Sequence, residues 1–590
     1  MERQGGRTDL IAAFLTTVMA QARFDWKTAL FLGLAVFLSL FAAAPLFTWK
    51  TASTPERMQV PHRIMEFDKC FFNGTVLPRW VPDTYGGRGS PLFYYYAPAA
   101  YLFAEPFAKA MDYASAANAA AILFMALSSI SVFLLAREFS SDEGAFVAAV
   151  LYAFAPYHLA QPFVRGAFSE SLATAILPLA FLFFKKCLDG KREFVPLAAC
   201  AYGLVVFSHP IIAVLATAFL VLWAGVLKMQ GCKLDYPLFA AAFALGLGAS
   251  AFYWLPAFAG AENMRLAELN VFPTLEGNSL DFSASASGVG TGFAKISWLV
   301  LAAAVAALFF LRGRFENAFS AIFWTALFFS SVFSLWLWPW LPLRTEIQFP
   351  WRLLAIVDLA GAVLAAMLFS KFAGKQKGNA AVFALLAVVA VAVAQAVPLL
   401  SSVEYLAMPV EQDGGAATVY AAGDWVTPEL LKRVSVGLTY KDEYLPATAR
   451  RVLPPIGFFA KTSEGKNATR LEERCGLLRA DAVLERNGTV TLGQYWFPNW
   501  RARIDGKNAP VLRDGEGLVV VEVPAGRHVV EARFENTWLD NAGLAASVVS
   551  AVAMAWFLKR KSRQTRRLRQ SVRVAMARFL RRKSNEAAQK

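Results

Sequence analysis

The sequence predicts a polytopic α-helical membrane protein with about twelve spans, a large first external loop and a C-terminal external β-domain. The chain has 590 residues, of which 57% are hydrophobic and only 17% are charged. This composition is typical of a chain that crosses a membrane many times, not of several soluble domains. Long apolar runs and the placement of basic residues between them support the same prediction.

The apolar runs give the predicted spans. About 20 apolar residues cross a hydrocarbon core about 30 Å thick. Runs near this length lie at 28–48, 116–136, 144–163, 167–185, 193–208, 211–228, 236–258, 296–311, 317–338, 351–370, 379–399 and 541–558. The segment 98–112 is shorter and is interrupted by Glu105, Pro106 and Lys109. We therefore expect it to lie in the membrane interface as a helix that does not cross.

Basic residues in the short connections predict the orientation. Connections on the cytoplasmic side of a membrane carry an excess of lysine and arginine. Twelve spans with both termini in the cytoplasm place all of the basic groups on that side: 1–27, Arg137, 185–192, Lys228 with Lys233, 312–314, 371–377 and the tail 559–590. The tail suits anionic lipid head groups, so we expect membrane lipid as its partner and no nucleic acid.

The first external loop, 49–115, contains the densest group of candidate site residues. Within it, Pro61–Pro98 combines a histidine, arginines, acids and aromatic side chains with frequent glycine and proline. This density of glycine and proline predicts a backbone shaped by turns, without long helices. A long polar loop of this kind is typical of a functional site, although an interfacial loop with an aromatic belt is the simpler alternative.

The same orientation brings polar residues from separate spans to the outer face. Ionisable groups at membrane depth are costly, so several of them on one face favour a cavity over isolated helix caps. We predict that one external cavity is lined by His62, Arg63, Asp68, Arg165, Glu170, His209 and Arg352.

A polar segment, 400–540, follows the span that ends near Leu399. Strand-like runs lie at Gly488–Leu492, Trp500–Ile504, Leu518–Val523 and His528–Phe534, separated by Asp-Gly and Pro-Ala-Gly turns. They predict a small antiparallel β-domain, which the final span 541–558 anchors. None of the five cysteines forms a Cys-x-x-Cys pair, so the sequence gives no support for a zinc or redox site.

Several short blocks together resemble a known family. These are H-R-I-M-E-F, L-P-R-W-V-P-D, Y-G-G-R-G-S-P-L-F-Y-Y-Y-A-P, V-R-G-A-F-S-E-S-L-A, F-S-H-P and Q-F-P-W-R-L-L, in this order. They resemble bacterial membrane proteins of the 6-pyruvoyl-tetrahydropterin synthase-related family, a label that implies no pterin chemistry here. That family looks similar to GT-C glycosyltransferases, which use polyprenyl-phosphate sugars and carry a catalytic acid in the first external loop.

The resemblance implies a GT-C-like transmembrane domain over 28–399, in the bacterial inner membrane. It implies an enzyme that moves a sugar from a polyprenyl-phosphate donor to a glycan, lipid or protein acceptor. In this family an acid is expected shortly before the histidine that matches His62, but Met58 or Gln59 stands there. The candidate catalytic acids are therefore Glu56, Glu66 and Asp68.

The remaining candidates are assigned to substrate binding. Arginine binds phosphate bidentately, histidine can orient a phosphate, and aromatic rings can stack on a sugar. The candidates are His62, Arg63, Arg79, Trp80, Tyr94, Tyr95, His158, Arg165, Glu170, His209, Gln348, Trp351 and Arg352. A divalent metal is left open as a cofactor, with no ligand assigned. Two alternatives remain: a transporter or flippase of a lipid-linked substrate, and a non-catalytic scaffold in cell-envelope glycan assembly.

Overall fold

The structure is a computed structural model. It describes residues 25–48, 51–52, 55–72, 74–265, 275–285, 287–291, 294–341, 347, 349–373, 379–403, 405–406, 410–411, 418–419, 444–449 and 457–558. The predictions for 1–24 and for the basic tail 559–590 lie outside these residues.

Helices form the larger part of the described chain. In chain order they are α1 Trp26–Ala42, α2 Pro55–Phe72, α3 Ala99–Ala108, α4 Tyr113–Arg137, α5 Asp142–Ala153, α6 Pro156–Ala160, α7 Phe168–Leu188, α8 Val195–Ser208, α9 Pro210–Met229, α10 Tyr236–Ala249, α11 Ala251–Ala259, α12 Trp298–Phe310, α13 Arg314–Ser330, α14 Leu354–Ala373, α15 Ala380–Ser401 and α16 Trp538–Leu558. Each of the twelve predicted apolar runs coincides with one of these helices or with a bent pair of them.

The number of helices that can cross a membrane is smaller than twelve by length and composition. Six helices in the described part are long and apolar enough, and the number rises to eight if each of two bent pairs is one span. The pairs are α5 with Pro156–Arg165, bent by 44°, and α10 with α11, bent by 71°. Pro156 begins the second half of the first pair, which explains the break there, because proline lacks the N–H that a continuing helix needs.

The first loop contains a long helix, so the expectation of a loop without one was wrong. Helix α2 has 18 residues and keeps Pro61 in its interior. The glycines of the loop all follow this helix, the first of them being Gly74. The segment before Gly74 thus contains no glycine, which would weaken a helix, and its single internal proline is accommodated.

Residues 457–534 form a sandwich of two antiparallel sheets, which we call the β-domain. Its strands are β1 Ala460–Thr462, β2 Thr469–Arg474, β3 Leu477–Leu484, β4 Gly488–Tyr495, β5 Trp500–Ile504, β6 Lys507–Ala509, β7 Leu512–Arg513, β8 Leu518–Val523 and β9 Gly526–Phe534. One sheet has the order β6-β5-β9-β3-β2 and the other β7-β8-β4-β1. The four strand-like runs of the sequence all fall on these strands.

The β-domain is joined to the first loop by several contacts. Trp80 is only 2% exposed and packs 5.3 Å from the rings of both Trp500 and Phe534. A disulfide links Cys70, in α2, to Cys475, which lies 405 residues later. The sequence offered no spacing from which this bond could be predicted. The part of the first loop around Trp80 therefore packs in the β-domain, whereas α2 packs against α3 and α4 of the helix bundle.

Candidate functional site

The centre of the candidate site is Glu170, in the first turn of α7. Its side chain is 1% exposed and has three polar neighbours. The Arg165 Nη2 donates to Glu170 Oε2 over 3.0 Å, and the Tyr157 hydroxyl donates to Oε1. The His209 Nε2 lies 3.8 Å from Oε2. The helical stretch Pro156–Arg165 and the residue His209 thus bring a phenol, an arginine and an imidazole to one buried carboxylate.

Aromatic rings hold the guanidinium of Arg165 from the other side. It lies 4.1 Å from the centre of the Trp351 ring. That ring stacks on Phe349, with centres 4.9 Å apart, and lies 6.0 Å from the ring of Tyr157. The Trp351 Nε1 donates to Asn278 Oδ1 over 3.2 Å. These contacts fix the plane of Trp351 and with it the position of Arg165.

Arg352 brings a second guanidinium to the same place. Its Nη1 donates to the Ile347 carbonyl over 2.8 Å, and its charge acts on both Glu170 and Tyr157. We call the group Tyr157, Arg165, Glu170, His209, Trp351 and Arg352 the arginine cluster. Its members are buried, apart from the His209 side chain, which is 16% exposed.

Local sequence explains how these side chains reach the cluster. Arg165 ends a π-helical turn, Gln161–Arg165, and Gly166 closes it in the left-handed conformation, with φ 72°. His209 is extended between α8 and α9, where its Nδ1 accepts from the Ile212 N–H over 3.3 Å and caps α9. An Nδ1 that accepts leaves the proton of a neutral imidazole on Nε2, which is the nitrogen that faces Glu170.

Two first-loop candidates lie together on one face of α2. The Nε2 of His62 is 3.8 Å from Oε1 of Glu66, whose side chain is fully buried. Burial, followed by the neighbouring charge of Asp83, raises the pKa of Glu66 well above its usual range. Burial likewise lowers the pKa of His62 to about 4. Burial therefore disfavours the charged form of both side chains.

Asp68 points to another part of the loop. Two residues after Glu66, it is turned by about 200° around the helix axis. It accepts from Lys109 and from the Tyr113 hydroxyl, the latter over 3.1 Å. Burial and the charge of Asp68 raise the pKa of the neighbouring Glu105 to about 7. Asp68 therefore does not share the side of α2 that carries Glu66.

The first-loop acids do not contact the arginine cluster in the described part of the chain. The route between the two places runs through Arg63, whose guanidinium lies 4.4 Å from the ring of Tyr96. Tyr96 packs 6.0 Å from Tyr101, and Tyr101 packs 5.5 Å from Phe168 at the start of α7. Helix α2 also packs against the turn Gln161–Arg165, which carries Arg165. That the seven side chains line one cavity stays a prediction.

Four other candidates lie at the joint with the β-domain or its anchor. Arg79 forms an ion pair with Asp540, donates to the Phe252 carbonyl over 3.0 Å and lies 5.1 Å from the ring of Tyr94. The Tyr95 hydroxyl donates to the Gly260 carbonyl over 2.6 Å. The Trp80 Nε1 donates to Gln494 in the β-domain over 2.7 Å. We leave Arg79, Trp80, Tyr94 and Tyr95 out of the proposed donor site.

The structure separates two neighbours in α6. His158 packs its ring 4.8 Å from Tyr152 and makes none of the described contacts with Glu170, whereas Tyr157 donates to Glu170. Sequence analysis assigned His158 to the site and omitted Tyr157. Both lie in the same short helix after Pro156, and only the direction of each side chain distinguishes them.

Two predicted site residues lie outside what the structure describes. Gln348 is outside the described residues, and Glu56 lies on α2 with its side chain outside them. In the described part of the chain, no group of three or more histidine, cysteine, aspartate or glutamate side chains is arranged to hold a metal ion. We therefore derive no step through a metal.

A family model described as "6-pyruvoyl-tetrahydropterin synthase related domain; membrane protein" matches residues 93–405. This is more than half of the chain, and it includes every member of the arginine cluster. A search of curated proteins gave no match to this chain.

Solved structures of two glycosyltransferases show a distant likeness. For the arabinofuranosyltransferase AftD from Mycobacteria, identity is 15% and the TM-score is 0.44, covering 63% of this chain and 26% of that one. For the oligosaccharyltransferase AglB from Archaeoglobus fulgidus, solved with an inhibitory peptide and a dolichol-phosphate, identity is 14% and the TM-score is 0.45, covering 74% and 62%. The chain spans about a quarter of the first protein and less than two thirds of the second.

Proposed function

The chain belongs to the 6-pyruvoyl-tetrahydropterin synthase related family of membrane proteins, and we propose that it acts there as a glycosyltransferase with a polyprenyl-phosphate sugar as donor. The observation that carries the proposal is the arginine cluster. Two guanidinium groups are held in one buried site by a carboxylate, a carbonyl and aromatic rings. Arginine forks match the oxygens of a phosphate, which is the charged group of a polyprenyl-phosphate donor.

The cluster would act on the leaving group. The acceptor hydroxyl attacks the anomeric carbon of the sugar, and the bond from that carbon to the phosphate oxygen breaks with its electron pair. Arg165 and Arg352 then face the negative charge that grows on the phosphate. Glu170 keeps Arg165 in place, and Trp351 limits its movement. The acceptor would be a glycan, lipid or protein.

A first-loop acid would take the proton of the acceptor hydroxyl. Glu66 is the first candidate, because its carboxyl has no described hydrogen-bond partner and lies on α2 beside Arg63, which packs towards the cluster. A raised pKa also makes a carboxylate a stronger base once it has lost its proton. Asp68 is the second candidate and Glu56 the third. Helix α2, which carries these acids, packs against the turn Gln161–Arg165 of the cluster.

The proposed topology is twelve spans with 49–115 and 400–540 on the outer face and both termini in the cytoplasm of a bacterial cell. The disulfide supports one part of it. Cys70 lies in the first loop and Cys475 in the β-domain, and disulfides form and persist in oxidising compartments. Both segments would then face the side where the donor sugar is transferred.

Binding of undecaprenyl phosphate to the purified full-length protein tests the donor site. Arg165→Lys and Arg352→Lys keep the charge and lose the fork, so we expect each to weaken binding by about 10- to 100-fold, equivalent to about 1.5–3 kcal/mol for a charged hydrogen bond. Arg501→Lys, at an exposed position of β5, is the matched control and should leave binding unchanged. Equal affinity in all three variants would contradict the phosphate assignment.

Turnover of labelled polyprenyl-phosphate sugars tests the base. Glu66→Gln should lower the rate by about 10²- to 10⁴-fold while binding of undecaprenyl phosphate stays unchanged. If Asp68→Asn has that effect instead, the base is Asp68; if Glu56→Gln has it, the base is Glu56. Full activity in all three variants would refute a first-loop base. Movement of the intact lipid across vesicles without transfer would favour a flippase.

A further inference from the structure

A second buried acid lies in the bundle, in a segment that sequence analysis did not single out. Asp358 is the one acid of α14, within the run L-A-I-V-D-L-A-G-A. It is 1% exposed, and neither carboxylate oxygen has a hydrogen-bond partner among the described residues. An isolated ionised carboxylate in such surroundings costs far more than a folded protein can offset. The group must therefore bind a proton, a cation or another ligand.

The surfaces that face Asp358 offer no described cation. Helix α14 packs chiefly against α5, α13 and α12, and to a smaller extent against α4, α6 and the strand Ala294–Ile296. Arg137 of α4 pairs with Asp142 of α5, and Lys295 of that strand donates to the Ser287 hydroxyl. Helix α12 has no charged residue, and the charged residues of α13, Arg314 and Glu316, lie in its first turn. The titratable group that interacts with Asp358 is Tyr152 of α5, on whose ring His158 packs. A proton removes the charge of the carboxyl, so that no cation is needed beside it.

Asp358 belongs to a polar layer next to the arginine cluster. It follows Arg352 by six residues, or about 9 Å along a helix axis. The Tyr152 hydroxyl donates to the carbonyl of Thr174, one turn beyond Glu170 in α7. The Thr174 hydroxyl donates to Gln161 Oε1 over 2.9 Å, while Gln161 Nε2 is itself buried without a described partner.

We propose that Asp358 is an intramembrane proton-binding site, in which the carboxyl remains a neutral acid at neutral pH within the polar layer of Tyr152, Thr174 and Gln161. Reversible binding of one proton to one carboxylate oxygen is the whole of the reaction. The proposal is independent of the glycosyl donor, because protonation is a property of the protein without substrate. It adds a group that can bind a proton to the buried polar layer next to the arginine cluster.

Infrared spectroscopy of the purified full-length protein tests this directly. A neutral carboxylic acid has a carbonyl stretch that is separate from the bands of a carboxylate. We expect Asp358→Asn to remove one such band at pH 7, and Tyr152→Phe to shift the same band without removing it. Glu66→Gln and Glu105→Gln are matched controls, because they remove other buried acids and should leave the Asp358 band in place.

The spectra and the effect of cations on stability distinguish a bound proton from a bound metal cation at Asp358. If the folded Asp358→Asn protein retains every neutral-acid band of the wild type, Asp358 is ionised and the proposal is wrong. A thermal stability that rises with sodium or potassium in the wild type alone would assign a metal cation instead. If Asp358→Asn does not fold, the Tyr152→Phe spectrum decides, since an ionised Asp358 has no neutral-acid band to shift.

Discussion

Replacing Glu170 by glutamine tests whether the arginine cluster is built around one charge. The amide keeps the size of the side chain and an oxygen that can accept from the Tyr157 hydroxyl. It removes the negative charge that faces Arg165 at 3.0 Å and His209 at 3.8 Å. The variant therefore isolates the electrostatic part of the site from its packing.

The expected magnitude follows from burial. The side chains of Arg165 and Glu170 are 6% and 1% exposed, so solvent screens their interaction very little. Removing one partner of a buried pair leaves the other charge desolvated and typically costs about 3–5 kcal/mol. We expect the free energy of unfolding of Glu170→Gln to fall by an amount in this range. The hydrogen bond from the Tyr157 hydroxyl is kept, so the loss reports the missing charge.

Unfolding of the purified protein by increasing SDS in mixed micelles measures this loss. The double variant Arg165→Met with Glu170→Gln removes both charges of the pair and should be more stable than Glu170→Gln alone, since the charge of Arg165 is no longer buried without its partner. A loss below about 1 kcal/mol for Glu170→Gln, or strictly additive losses in the double variant, would refute the electrostatic reasoning.

Three further predictions concern the first loop. Cys70→Ser and Cys475→Ser should each destabilise the protein by about 2–5 kcal/mol in SDS unfolding, and unequal losses would show that the disulfide is not their common cause. Trp80→Ala should lower the free energy of unfolding by about 3–5 kcal/mol, because it leaves a cavity in the β-domain. Trp340→Ala, at a side chain that is 82% exposed, should change it little. Similar losses in the two variants would contradict the packing of Trp80 in the β-domain. The pKa of Glu105 rises from its ordinary 4.5 to about 7, so the stability that this group contributes is complete below pH 4.5 and is lost as pH rises through 7. The unfolding midpoint of Glu105→Gln should lack this pH dependence. A variant with the same pH profile as the wild type would refute the prediction.

Apolar runs and turn signals predicted the positions of most elements. The run 379–399 became Ala380–Ser401, and Trp500–Ile504 became a strand with the same bounds. Such elements follow from local composition and period. The sequence predicted one span over 236–258, whereas the structure bends it by 71° at Ser250, just after Gly246 and Gly248.

Contacts between distant segments were predicted less well. Arg165, Glu170 and Arg352 could be placed on one face because each lies at the end of an apolar run, and the structure brings them together. Glu66 and Asp68 lie on different sides of α2 because that segment is helical. The frequent glycine and proline of the loop had predicted no long helix there. Sequence position also gave no reason to pair Cys70 with a cysteine 405 residues later.

The place of Trp80 in the β-domain has a consequence for biosynthesis. Its indole packs in one core with Trp500 and Phe534, which are synthesised more than 400 residues later. The 405 residues between the two cysteines take roughly 20–80 s to synthesise at about 5–20 residues per second. During that time the first loop is outside the ribosome without its partner, and it would need shielding from proteases. A chain that terminates before the β-domain would lack the partners of Cys70 and Trp80, so a late domain is needed to complete the contacts of an early loop.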